Sequence, residues 1–186
     1  MYDVDLEKVA RVARQFSGLN NDNAELLKTI QPRVEGHLDA VTDTFYARLQ
    51  QIEETAFFLE GRLDALKKTH RRWLDEIFSG DYGEDYVAEM FRVGETHVNV
   101  RLPLEFMSGA TTIVADALIP VLREIADDES EYTQASRALN AVLGFSLMIM
   151  QESYHATSLA NELSRFLKVT GMSRELFSNL ADTESN

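Results

Sequence analysis

The side chains in this sequence best suited to bind a transition metal through nitrogen are four histidines, His37, His70, His97 and His155. His97 stands apart by its spacing. Over residues 86–101, Met90, Val93, His97 and Val100 recur at steps of three or four, which puts the imidazole on the apolar face of a helix. A neutral imidazole there suits iron, and haem is commonly held by one histidine on a helix flanking an apolar pocket. The same placement serves a hydrogen-bonded core histidine, and spacing alone does not separate the two.

Other chemistries find less support. There is no cysteine, so disulfides, thiolate nucleophiles and Cys-ligated zinc or iron–sulfur sites are excluded from the chain itself. Glu152 and His155 have the Glu-x-x-His spacing of a di-iron carboxylate bundle, but that site needs a second such motif, and Glu95 and His97 diverge at a spacing of two. No nucleophile–base arrangement, phosphate loop or nucleotide motif is present, so catalysis is not indicated.

The elements that must position His97 are helical. Apolar residues step by three and four nearly everywhere, as in Val34, Leu38, Val41, Phe45 and Leu49, while strand-like alternation is absent. The spacing predicts an all-α fold with helices over 4–16, 22–30, 33–50, 54–79, 83–101, 103–127 and 129–168, and a weaker piece over 172–180. Asn20, Asn21 and Asp22 can cap the second helix, and Pro32 and Pro103 sit where helices would open. Pro120 should kink or interrupt the sixth. The acidic run Asp127 to Glu131 reads as a polar turn whose carboxylates favour the next helix's N-terminus.

A length of 186 residues suits one domain with a real core, and only nine Gly and three Pro favour long helices. A net charge of -13 argues against nucleic acid and anionic membrane surfaces as partners. The N-terminus has no basic start followed by an apolar stretch, and no apolar run approaches the roughly 18 residues of a membrane span. A cytoplasmic location is the expectation.

The segment 66–106, LKKTHRRWLDEIFSGDYGEDYVAEMFRVGETHVNVRLPLEF, resembles the central region of bacterial globin-coupled sensors. The matching residues are Leu66, Thr69 and Trp73 on a distal helix, then Phe78, Gly80 and Tyr82 in a turn, then Arg92, Val93, Gly94 and His97. Phe45-Tyr46 and the long last helix extend the resemblance over roughly residues 10–165. The chain departs from the family after the ligand, where His-x-x-Ile-Gly-Leu is usual and His97-Val-Asn-Val100-Arg101-Leu102 stands here; Met107 also replaces a usual tyrosine.

The resemblance implies a globin-like fold with an extra N-terminal helix and a long C-terminal helix. It implies one sensor domain over 1–186, with a core at about 10–168 and a short extension at 169–186. It also implies haem, iron protoporphyrin IX, with His97 as proximal iron ligand and Tyr46, Leu66, Thr69, His70, Trp73 and Val93 around it. Tyr46 would donate a hydrogen bond to a diatomic gas, dioxygen first, with carbon monoxide and nitric oxide as other ligands. His70, beside Thr69, is a candidate second axial ligand; otherwise it belongs to the solvated cluster Lys67, Lys68, Arg71 and Arg72, one member of which would meet a haem propionate. His37 and His155 are expected to be structural or exposed.

Homodimerisation through the last two long helices is implied, with signalling to a C-terminal or separate transmitter. The sequence ends in SRELFSNLADTESN, so it is either a piece of a longer protein or a free-standing sensor acting through a partner. The rival reading is a haem-free globin-fold interaction module of a signalling complex.

Overall fold

Short polar side chains start the helices. Asp5 accepts from the Lys8 N–H at the head of α1 (Leu6–Ser17), and Asn20 and Asn23 close a reciprocal capping box on α2 (Asn21–Val34). Asp128 accepts from the Glu131 N–H at the start of α8 (Glu129–Thr170). Between them lie α3 (Leu38–Gln51), α4 (Glu53–Ala56), α5 (Leu63–Ile77), α6 (Glu84–Asn99) and α7 (Leu104–Ile125). This computed structural model describes residues 4–177, and no strand occurs among them.

Three expectations are corrected. Pro32 does not open a helix. It lies in the last turn of α2, where its missing N–H costs one bond, and the chain then tightens into a 3-10 turn at Glu35–His37 before α3. The predicted 54–79 helix is three pieces, because α4 gives way to a 3-10 turn at Phe57–Leu59 and Gly61 takes a φ of 69° before α5. Pro120 does not interrupt its helix, and α7 runs unbroken from Leu104 to Ile125. Of the predicted piece at 172–180, residues 174–177 are helical and 178–180 lie outside the described residues.

The core is built around α8, whose 42 residues span about 63 Å at 1.5 Å per residue. Its buried stripe runs from Ala135 to Ser153 and meets α1, α2, α6 and α7. Gly94 on α6 sets the closest approach. A Cβ there would stand 2.0 Å from Ser153 Oγ and 2.4 Å from the Met150 carbonyl oxygen, so the two backbones touch only because no side chain intervenes.

By length and composition α7 is apolar enough to cross a membrane, contrary to the sequence expectation. Met107, Ile113, Val114, Leu118 and Leu122 on it are buried, and the helix packs on α3 and α8. Its remaining apolar surface is partly exposed, Ile119 among it.

Arg33 ties α2 to the α7–α8 turn. It donates to the Ile125 carbonyl at 2.9 Å and to both Glu131 oxygens, with Asp127 at 3.5 Å. The hydrogen bonds from Arg33 and then from the Asp127 N–H hold the Glu131 carboxyl below its ordinary 4.5.

Two outcomes follow from these contacts. Gly94→Ala should cost about 3 kcal/mol, the upper end for overpacking, read as a fall in urea midpoint; a midpoint equal to wild type would contradict the close crossing. Because the folded pKa of Glu131 lies below its unfolded value, its stabilisation is present above about pH 4.5 and is lost as pH falls through the folded value. Melts of Glu131→Gln should therefore show a shallower acid-side decline than wild type, and equal slopes would remove Glu131 from the account.

Candidate functional site

Four helices turn apolar faces toward one cavity of about 290 Å³. From α3 come Phe45, Tyr46 and Leu49; from α5, Leu66, Thr69, His70 and Trp73; from α6, Met90, Val93 and His97; from α7, Met107, Ala110 and Val114. Steps of three and four place each set on one helical face. All seven residues singled out from the sequence, Tyr46, Leu66, Thr69, His70, Trp73, Val93 and His97, line this one space.

His70 is not the solvated histidine its basic neighbours suggest; it is buried. Its ring lies flat against Phe45, with centroids 4.3 Å apart and planes at 9°, and Tyr46 and Trp73 each meet it at 5.6 Å. The Thr42 hydroxyl lies 3.0 Å from its Nδ1. With the ring proton on Nε2 that hydroxyl donates to Nδ1, and with the proton on Nδ1 it accepts. Nε2 itself is buried without a partner.

Nδ1 of His97 is buried too and closes no hydrogen bond of normal geometry. Burial lowers the pKa of His97, opposed in part by the Val93 carbonyl one turn back, and burial pushes His70 down to about 4. Burial pushes the Tyr46 phenol up to about 12. At neutral pH the cavity therefore presents two uncharged imidazoles and an intact O–H. The unpartnered Nε2 of His70 in this apolar space is a group that a ligand would satisfy.

The other candidates lie elsewhere. His37 is half-buried at the end of the 3-10 turn before α3, outside the cavity wall, and His155 is exposed on α8, as is Glu152. Among the described residues, no three His, Asp or Glu side chains gather to hold a metal ion. Lys67 pairs with Asp43 at 2.8 Å, Arg71 with Asp39 at 3.0 Å and with Asp75, and Arg72 stands 3.8 Å from Glu76. Sequence reasoning missed Thr42, Phe58, Arg62 and Thr111; Thr42 alone carried a signal, being three and four residues from Phe45 and Tyr46.

The protoglobin family model matches residues 7–159. The chain belongs to the protoglobin family. Within it, the heme-based aerotactic transducer HemAT of Halobacterium salinarum is 27% identical over 151 residues, 75% of this chain. The chain spans only 31% of that relative's length. The globin domain of the Geobacter sulfurreducens globin-coupled sensor superposes with a TM-score of 0.72 at 29% identity, over 77% of this chain and 96% of that one. The ferric globin domain of E. coli DosC, at 17% identity, shares the fold with a TM-score of 0.65 over 79% of this chain and 97% of its own. The first two likenesses support the resemblance to globin-coupled sensors that the sequence motifs carry, and the third shows the globin fold.

In this protoglobin the turn after His97 has its own strain. The Leu102 N–H bonds the His97 carbonyl and the Arg101 N–H bonds the Val98 carbonyl, both at 2.9 Å, which forces Arg101 to a φ of 59°. Arg101 occupies the position where the resembling sequences carry glycine, and the left-handed backbone supplies the reason for that glycine. Arg101→Gly should raise stability by about 0.5–1 kcal/mol, the relief of the left-handed penalty less the added unfolded-state entropy. An unchanged or lower denaturation midpoint would show that the arginine side chain repays its strain.

Proposed function

We propose that this chain is a haem-based sensor domain that binds haem in the α3, α5, α6 and α7 cavity, with His97 as the proximal base, and reports a diatomic gas, dioxygen foremost. The observation that carries this reading is one apolar cavity lined together by His97, Tyr46 and His70, in which burial keeps both imidazoles neutral. When bound, haem would supply an iron centre at which a small gas can bind reversibly.

The chain's own residues do the rest. Burial keeps His97 neutral and so able to donate its lone pair. Tyr46 keeps its proton, and its O–H is a hydrogen-bond donor on the cavity wall. Leu66, Val93 and Met90 exclude water, which strengthens that hydrogen bond. His97 rides on α6, which crosses α8 without an intervening side chain at Gly94, so a displacement of α6 bears directly on the long helix. The partly exposed apolar surfaces of α7 and α8, with Ile119 and Leu159 among them, are the faces on which a homodimer would form and through which a C-terminal or separate transmitter would be addressed. The domain's role is non-enzymatic signalling from the cytoplasm.

The buried, unpartnered Nε2 of His70 favours a second arrangement, in which His70 binds iron opposite His97. The Thr42 pair constrains it. Ligation would use the Nε2 lone pair, with the ring proton on Nδ1 and the Thr42 hydroxyl as its acceptor.

Purified protein should show an intense Soret band, and His97→Ala should bind haem at least about a hundredfold more weakly while keeping its helical circular dichroism. Normal haem content in His97→Ala would remove the proximal assignment, and a colourless wild type after haem supplementation would replace the sensor with a haem-free interaction module. In the same preparation, a ferric spectrum that passes from six-coordinate to high-spin in His70→Ala marks His70 as an axial ligand; an unchanged spectrum excludes it.

A further inference from the structure

Charge on the cavity wall is confined to one residue. Among the described residues, Arg62 is the sole lysine or arginine lining it, and no aspartate or glutamate lines it. This is unexpected in a chain of net charge -13, where carboxylates outnumber cations 31 to 18. The basic cluster that the sequence offers as a source of positive charge takes no part. Lys67, Arg71 and Arg72 face Asp43, Asp39, Asp75 and Glu76, and neither they nor Lys68 lines the cavity.

Arg62 is differently placed. It makes no salt bridge among the described residues; its guanidinium donates to the Phe58 carbonyl at 2.7 Å, and Phe58 is itself on the wall. Its backbone is the N-cap of α5, and no side chain caps that end. Arg62 is exposed to solvent as well as lining the cavity, and its guanidinium turns back toward Phe58 rather than capping the helix. Asp64, in the same turn, is exposed and not on the cavity wall.

We infer that Arg62 is the anion end of the cavity: its guanidinium binds a carboxylate of the ligand, while the apolar wall takes the ligand's body. This rests on the haem reading above, and it assigns the two propionate carboxylates of iron protoporphyrin IX, the only charged groups on that ring's edge, to the Arg62 side of the pocket. A guanidinium presents paired donors that match a carboxylate, whereas Lys67, Arg71 and Arg72 of α5 already face this chain's own acids and Lys68 is off the cavity wall. Arg62 is therefore a binding and orienting residue, fixing which edge of an otherwise apolar ring faces the mouth.

The test compares haem with its dimethyl ester, which has the same ring and iron but no carboxylate. Loss of each from wild type, Arg62→Ala, Arg62→Lys and Arg62→Glu is followed by transfer to excess apomyoglobin. Haem should leave Arg62→Ala about five times faster than wild type and Arg62→Glu faster still, with Arg62→Lys between, while the ester leaves all four at one rate. High salt should narrow the haem differences. Haem retention in Arg62→Glu equal to wild type overturns the assignment while leaving the haem reading intact. Equal acceleration of haem and ester also overturns it, by showing that Arg62 acts through packing. A wild type that takes up neither pigment overturns the haem reading itself, and this inference with it.

Discussion

The contact of α6 with α8 at Gly94 is the constraint on which the rest of the cavity depends. Helices usually meet through side chains that keep their axes about 8–10 Å apart and can yield by changing rotamer. Here the groups opposite Gly94 are the Ser153 hydroxyl and the Met150 carbonyl, and the latter cannot rotate out of the way. The height of α6 above α8 is therefore set by backbone. His97 is three residues along the same helix and inherits that position. Tyr86 adds a second tie lower on α6, its hydroxyl 2.6 Å from Ser146 Oγ.

Around that fixed frame the cavity works by desolvation. Its wall is almost wholly apolar, which drives His70 and His97 to their neutral forms and keeps the proton on Tyr46. A neutral base and an intact hydroxyl would be unremarkable on a surface, where water satisfies both. Buried, each is a hydrogen-bonding or ligating group with no competitor. The Thr42 and Phe45 clamp on His70 shows how much structure goes into aiming one such group: a hydrogen bond at 3.0 Å and a stacked ring at 4.3 Å remove its rotational freedom.

The helical class, the capping residues and the apolar face that bears His97 were legible because each depends on neighbours within a turn. Asn20 and Asp128 cap where their residue type says they should. The divided chain between Glu53 and Ile77 was not, since the apolar period runs on through Phe57, Phe58 and Leu59 and only Gly61 marks the break. His70 was legible as a neighbour of Thr69 but not as a buried side chain. Successive helical residues point about 100° apart, so one inward histidine can sit inside a run of outward bases, and its partner Thr42 is 28 residues away. Arg62 shows the converse: its residue type suggested nothing, and only the folded wall isolates it as the cavity's charge.

Arg101 carries a consequence for motion. A left-handed backbone at a non-glycine residue costs about 1 kcal/mol, and a local opening that releases this strain is favoured about fivefold over the same opening in an unstrained turn. The turn supports Val100 and Leu102, both of which lie on the cavity wall, and it holds the carbonyl of His97 through the Leu102 N–H. The wall of the pocket is thus unequal in strain as well as in chemistry: the contact of α6 with α8 at Gly94 is set by backbone, while the turn beyond His97 stores a strain that an opening would relieve.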